Sequence, residues 1–264
     1  MPVLTPMRKA ELENGSTSTR NLSECLAIDQ AELIRQVLPG LGLGDDLAAV
    51  LDEYATASGK GISHQISAIG CAIGKALHRH DEVSRQARQE RLIRHPSDTV
   101  RSWAAFAMTR SDPAMTLGDR LGVAKTFAAD EHFGVREWSW LAVRPYIAEH
   151  IGEAIALLES WTMSPDPNIR RFAVESTRPR GVWCEHIAAL KTDPAMGLPL
   201  LEPLRADPAR YVQDSVGNWL NDASKTAPEW VDRLCRYWAD AGAGEPSTAR
   251  IVTRAIRSLR KGGT

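Results

Sequence analysis

Cysteine is scarce and scattered in this chain of 264 residues: Cys25, Cys71, Cys184 and Cys235 stand far apart, with no C-x-x-C pair and no histidines clustered at ligand spacing. That argues against a disulfide framework and against a structural zinc site. Long apolar runs are missing as well. Nothing reaches the roughly 18 residues a membrane-spanning helix needs, and the opening MPVLTPMRKAELENG lacks the apolar stretch of a secretory signal. We therefore expect a cytoplasmic protein with reduced thiols, no membrane contact, no metal and no cofactor. An excess of charge is absent too, since 32 Lys+Arg face 33 Asp+Glu for a formal net charge of −1. A generic nucleic-acid binder would carry a basic excess to neutralise phosphates. Convincing period-two strands do not occur.

What is present is an ordinary globular composition, 43% hydrophobic and 25% charged, with its charge unevenly placed. Residues 1–53 hold four Lys/Arg against nine Asp/Glu, whereas residues 250–264 hold five Lys/Arg and no acid. A second basic stretch covers 75–110, with eight Lys/Arg against four acids, a pattern that a solvated helix face would also show. Periodicity is helical: in GISHQISAIGCAIGKAL, Ile62, Ile66, Ile69, Ile73 and Leu77 recur at steps of three and four. Pro combined with Asp, Asn, Ser or Gly punctuates the helices at 95–98, 111–114, 164–168, 178–181 and 206–209.

The helices repeat. SDTVRSWAAFAM, HFGVREWSWLAV, DPNIRRFAVEST, ARYVQDSVGNWL and TARIVTRAIRSL each begin a core stripe with an apolar residue, at Val100, Val135, Ile169, Val212 and Val252. The spacings are 35, 34, 43 and 40, and Ile66 adds an earlier copy. Helix-only periods of this size predict an all-α, curved solenoid of about six HEAT-like helical repeats, its binding chemistry on the concave face. We expect one such domain over 25–264 after an N-terminal segment, 1–24. At 100° per residue, positions +2, +6 and +9 lie opposite the core stripe. They collect Glu137, Arg171, Asp214 and Arg254, then Glu175 and Asn218, then Arg144, Arg178, Asn221 and Lys261. Seven of eight tryptophans follow residue 130. Trp138 and Trp219 fall on the core stripe, Trp140 falls off it, and Trp183 follows the RPRG turn, where an aromatic can stack on a base or a sugar.

HPSDTVRSWAAFA, DEHFGVREWSWLAVRP, SPDPNIRRFAVESTRPRGVW and YVQDSVGNWLNDASK resemble motif blocks of the AlkC branch of the AlkC/AlkD DNA alkylation-repair glycosylases. The likeness runs from about residue 20 to the C-terminus. It implies a HEAT-like enzyme of base excision repair that removes N3-methylated bases, 3-methyladenine and 3-methylcytosine, from double-stranded DNA without flipping them into a closed pocket. Some AlkC relatives carry a further immunoglobulin-like domain, and we expect this chain to be the shorter form, acting as a monomer without an obligate partner.

Chemistry gives such a site a simple task. An N3-alkylated base is already cationic and leaves readily, so the enzyme has chiefly to stabilise an oxocarbenium-like sugar and place water on it, which suits a fixed carboxylate. Glu175 is the first candidate, followed by Glu137 and Asp214, with Trp183 offering an aromatic face to the sugar. Trp140, Arg144, Arg171, Arg178, Arg180, Asn218, Asn221, Arg254, Arg257 and Lys261 are the expected DNA contacts. The same spacing lets Glu175 do no more than pair with Arg171 or Arg178 on its own helix. The rival reading is a non-catalytic HEAT module that binds protein or structured DNA.

Overall fold

The structure, a computed structural model, describes residues 4–110, 112–242 and 244–261, without the side chains of residues 260 and 261. Its regular structure is helical, with no strand among the described residues, and no described helix is long and apolar enough to cross a membrane. The chain divides into two compact units, Met1–Val143 and Arg144–Thr264.

The first unit holds α1 (Pro6–Glu13), α2 (Leu22–Ala27), α3 (Gln30–Val37), α4 (Leu47–Ala55), α5 (Ile62–Leu77), α6 (Glu82–Ile93), α7 (Asp98–Arg110), α8 (Leu117–Ala128) and the start of α9 (Phe133–Glu149). Local chemistry caps these helices. Thr116 and Asp119 form a reciprocal capping box on α8, and Asp81 accepts the Ser84 amide at the head of α6. The isoleucines of α5 and the Val100, Trp103 and Phe106 face of α7 are buried, and the two helices pack closely where Gly70 meets the α7 backbone. The segment before residue 25 is built into this unit. Arg8 donates to both oxygens of buried Glu24, and the Thr19 amide and hydroxyl both donate to Asp98 at 2.8 Å.

The second unit continues α9 and adds α10 (Ile151–Glu159), α11 (Pro167–Glu175), α12 (Ala188–Thr192), α13 (Leu198–Leu201), α14 (Arg210–Ala223), α15 (Pro228–Ala241), α16 (Pro246–Ala255) and α17 (Arg257–Lys261). Within it α14 packs against α11 on one flank and α16 on the other, placing the inner helices of successive repeats side by side. The sequence repeat has a concrete basis in the arginine that follows the first core residue. Arg101 and Arg170 each fork onto a carboxylate of the next repeat, Asp130 and Asp207, while a third nitrogen donates to carbonyls of the turn before its own helix. Arg136 donates to the carbonyls of Asp130 and Glu131 in the same way, and Gln213 to that of Asp207.

The register holds at Val100, Val135, Ile169 and Val212, all buried, and slips by one in the last repeat. There Ile251 and Ala255, both fully buried, face the core and Val252 does not. The start of α16 is set by the Glu245 cap and Pro246, which rotates the following residues relative to the earlier copies.

Candidate active site

α11 ends at Glu175, and the chain turns through residues 176–187 before α12. Glu175 is 4% exposed and its two oxygens are fully engaged: Oε1 accepts from Arg178 at 2.7 Å, and Oε2 accepts from the Ser215 hydroxyl of α14 at 2.6 Å, with Arg171 at 3.7 Å. Burial alone would push this carboxyl up, but Arg171, Arg178 and the Ser215 hydroxyl outweigh it, so the pKa lies below the ordinary value and the group stays ionised. Arg178 reaches a second carboxylate, since its Nε and Nη2 donate to Asp222 of α14 at 2.9 and 2.7 Å. Burial works against the Arg178 charge, and the two carboxylates outweigh it and raise its pKa. Lys225 closes the network on Asp222 at 3.2 Å, and the guanidinium of Arg171 lies over the Tyr211 ring at 4.5 Å.

On the turn that follows, Val182 and Trp183 are each about half exposed. Trp183 is the one non-glycine residue with positive φ among the described residues, at 61°. A left-handed backbone costs a side-chain-bearing residue on the order of 1 kcal/mol, so the surroundings must enforce it. The Trp219 indole of α14 donates to the Thr177 carbonyl at 3.0 Å, and the Ile187 amide to that of Pro179 at 3.1 Å.

Further along the same row of helices, Asp214 accepts from Arg250 at 2.7 Å and Arg254 at 3.1 Å, and Asn218 Oδ1 accepts from Arg254 at 2.9 Å and Arg257 at 3.0 Å. The side chain of Arg254 lies against Gly217, where a Cβ would come within 2.8 Å of it. Arg250, Thr253, Arg254 and Arg257 line an open depression of about 510 Å³. Three guanidinium groups thus share one carboxylate and one amide, leaving this patch positive.

Several expected DNA contacts occupy other places. Arg144 is 2% exposed, its nitrogens donating to the carbonyls of Ser176, Arg178 and Glu185, which removes it from a phosphate-binding surface. Trp140 is 1% exposed inside the first unit, and Asn221 is buried, donating to the Ala255 carbonyl and accepting from Ser258. Glu137 is half-buried in the first unit, and the Lys261 side chain lies outside the described residues. Arg180 is half-buried with its Nε making no hydrogen bond. Glu175, Arg171 and Arg178 come together in the second unit, with Trp183 on the turn that follows, and Asp214, Asn218, Arg254 and Arg257 form a further cluster on α14, α16 and α17. Sequence reasoning missed Asp222, Ser215 and Arg250.

Residues 135–235 match the family described as DNA alkylation repair enzyme. That segment is similar to the DNA alkylation-repair family over less than half of the chain. The chain is 38% identical over 139 residues to the uncharacterized protein YhaZ of Bacillus subtilis (strain 168), a match covering 53% of this chain and 38% of YhaZ. Its fold is similar to that of Pseudomonas fluorescens alkylpurine DNA glycosylase AlkC bound to DNA containing an abasic site analog, with a TM-score of 0.64 and 20% identity over 92% of this chain and 66% of that one. AlkD2 from Streptococcus mutans is similar at a TM-score of 0.60 and 18% identity, over 80% of this chain and 98% of that one. The network of Glu175, Arg178 and Asp222 falls inside the matching segment, as does Trp183, whereas Arg250, Arg254 and Arg257 lie beyond it.

Proposed function

We propose that this chain is a DNA alkylation-repair glycosylase that hydrolyses the N-glycosidic bond of cationic N3-alkylated bases in double-stranded DNA, 3-methyladenine foremost and 3-methylcytosine second. The observation that carries this reading is the ionised, immobilised Glu175, joined through Arg178 to Asp222, with the half-exposed Trp183 on the turn that follows. A base that leaves as a neutral molecule needs no proton from the protein. The task is to favour positive charge on the deoxyribose, and fixed negative charge in a water-poor setting does so without reorganisation. Trp183 adds an aromatic face for the same cation.

In the free protein the arginines neutralise Glu175. Phosphates flanking the lesion compete for Arg171 and Arg178, and each one drawn away leaves the carboxylate more fully expressed toward the sugar. Arg180, Arg254 and Arg257 hold the backbone, and Glu137 and Asp214 are the secondary carboxylates. The test is direct: incubate the chain with methylated duplex DNA and measure free 3-methyladenine by mass spectrometry. We expect release, with Glu175→Gln lowering the single-turnover rate by about a hundredfold. No release across pH and salt would overturn the glycosylase reading in favour of a non-catalytic DNA- or protein-binding module. Full activity in Glu175→Gln would move the role to another carboxylate.

A further inference from the structure

The turn that carries Val182 and Trp183 has a stability problem. Its two apolar side chains are half exposed and gain little from burial, while Trp183 holds the left-handed backbone at φ 61°. Something beneath the turn must impose its shape. The Ile187 amide to Pro179 carbonyl bond closes its base. A tie to both limbs comes from α9: Arg144 donates through Nη1 to the Ser176 carbonyl at 2.8 Å, and through Nη2 to the carbonyls of Arg178 at 2.6 Å and Glu185 at 3.2 Å. Two of these acceptors precede Trp183 and one follows it, so a single planar guanidinium spans both limbs. Gly181 keeps the inside of the turn open for it. A Cβ there would stand 3.3 Å from the Arg144 guanidinium carbon and would collide with the Cys184 sulfur.

Arg144 is suited to this place and to little else. Its guanidinium is almost wholly buried, and burial, the largest influence, lowers its pKa, while Cys184, Glu175 and Asp222 favour the charge and Arg178 opposes it. A lysine carries its donors on one point and cannot reach acceptors on both limbs with the geometry of a fork.

We propose that Arg144 is a positioning residue, whose buried guanidinium braces both limbs of the turn over residues 176–187 and so fixes Trp183 for contact with the sugar of the lesion. The inference rests on the glycosylase reading for its last step only, and its experiment separates the two. Arg144→Lys and Arg144→Gln remove the brace from α9, and Gly181→Ala disturbs the same contact from the turn itself, which covers the case in which an Arg144 variant fails to fold.

Three measurements decide the matter. Limited trypsin digestion of the free protein should show cleavage after Arg180 accelerated by about tenfold in all three variants, with cleavage after Arg233 in α15 unchanged as the control for global unfolding. On methylated duplex DNA, the single-turnover excision rate should fall by about tenfold or more, because a small misplacement near reacting atoms is enough for that loss. The Kd for undamaged duplex and its salt dependence should stay as they are. A phosphate-binding Arg144 would behave in the opposite way. Affinity would weaken, the slope of log affinity against log salt would shrink by about one unit, and the turn would stay resistant to trypsin. That outcome, or unchanged digestion after Arg180 in well-folded variants, overturns the proposal. If the unaltered protein releases no base, the glycosylase reading falls and the trypsin arm still decides whether Arg144 braces the turn.

Discussion

Arg178 holds two buried carboxylates at once, Glu175 at the end of its preceding helix and Asp222 on α14. Bringing such groups out of water is costly, and removing one partner costs more than the pair contributes, because the opposite charge stays buried without compensation. We therefore expect Arg178→Gln to lower stability at pH 7 by about 3 kcal/mol or more in denaturant unfolding. The pH dependence gives the sign. Glu175 has its pKa depressed in the folded protein, so the stability it contributes is present above the unfolded carboxyl value and is lost as pH falls through the depressed one. In Arg178→Gln a major source of that depression is gone, and protonation of Glu175 becomes the relief of an unpaired charge. The stability gap between variant and unaltered protein should accordingly narrow between about pH 5 and pH 3. A gap independent of pH would show that Arg178 acts through packing and not through charge.

At the scale of helices, close approach between α5 and α7 depends on Gly70, where a Cβ would lie 2.7 Å from the Trp103 carbonyl oxygen and also strike the Phe106 Cβ. Backbone cannot step aside as a flexible side chain can, so Gly70→Ala should force the helices apart and cost about 1–3 kcal/mol, read as a lower unfolding midpoint at unchanged helix content. The same crowding explains which parts of the architecture were legible in the sequence. Val100, Val135, Ile169 and Val212 announce their buried faces because 3.6-residue periodicity reports a helix's own core stripe. Trp140 does not follow that logic, nor do Arg144 and Asn221. Each lies off the stripe yet is buried, and for Asn221 the reason is that α14 has neighbours on both flanks, so its sides are covered as well as its face. The +9 side chains use those flanks to reach the next repeat, Arg144 to the carbonyls after α11 and Asn221 to that of Ala255. Arg110 does the same one position later, supplying donors to the Leu141 and Ala142 carbonyls of α9, just before the helix-internal Pro145. Pro145 has no N–H for the carbonyl of Leu141, so the arginine replaces a missing backbone bond. Glu175 was recognisable from its column, while Asp222 was not. Its significance lies in Arg178, 44 residues earlier, and pairing across repeats leaves no mark in a one-dimensional period.

Taken over the whole chain, the charge balance of −1 is not resolved by dividing the molecule in two. Residues 1–143 hold 16 Lys/Arg against 18 Asp/Glu, and residues 144–264 hold 16 against 15. Neither unit is strongly basic, so attraction to a polyanion has to come from local arrangement. Several arginines are committed: Arg101 pairs with half-buried Asp130, Arg170 and Arg178 pair with buried carboxylates, and Arg144 serves carbonyls. Arg250, Arg254 and Arg257 differ, sharing the single carboxylate of Asp214 and the neutral oxygen of Asn218 around an open depression. A surface of this kind can neutralise phosphates without first giving up a carboxylate partner, as a self-paired one must. If it carries the DNA backbone, each arginine releases about one counterion, and changing all three to glutamine should reduce the slope of log affinity against log salt by about two to three units. Binding at low salt should weaken steeply, while the difference from the unaltered protein should shrink as salt rises and screens what remains. Fluorescence anisotropy of a labelled duplex from low to moderate salt reads both quantities. An unaltered slope in the folded triple variant would mean that the duplex does not lie across this depression, and that the Glu175 network meets DNA without help from α16 and α17.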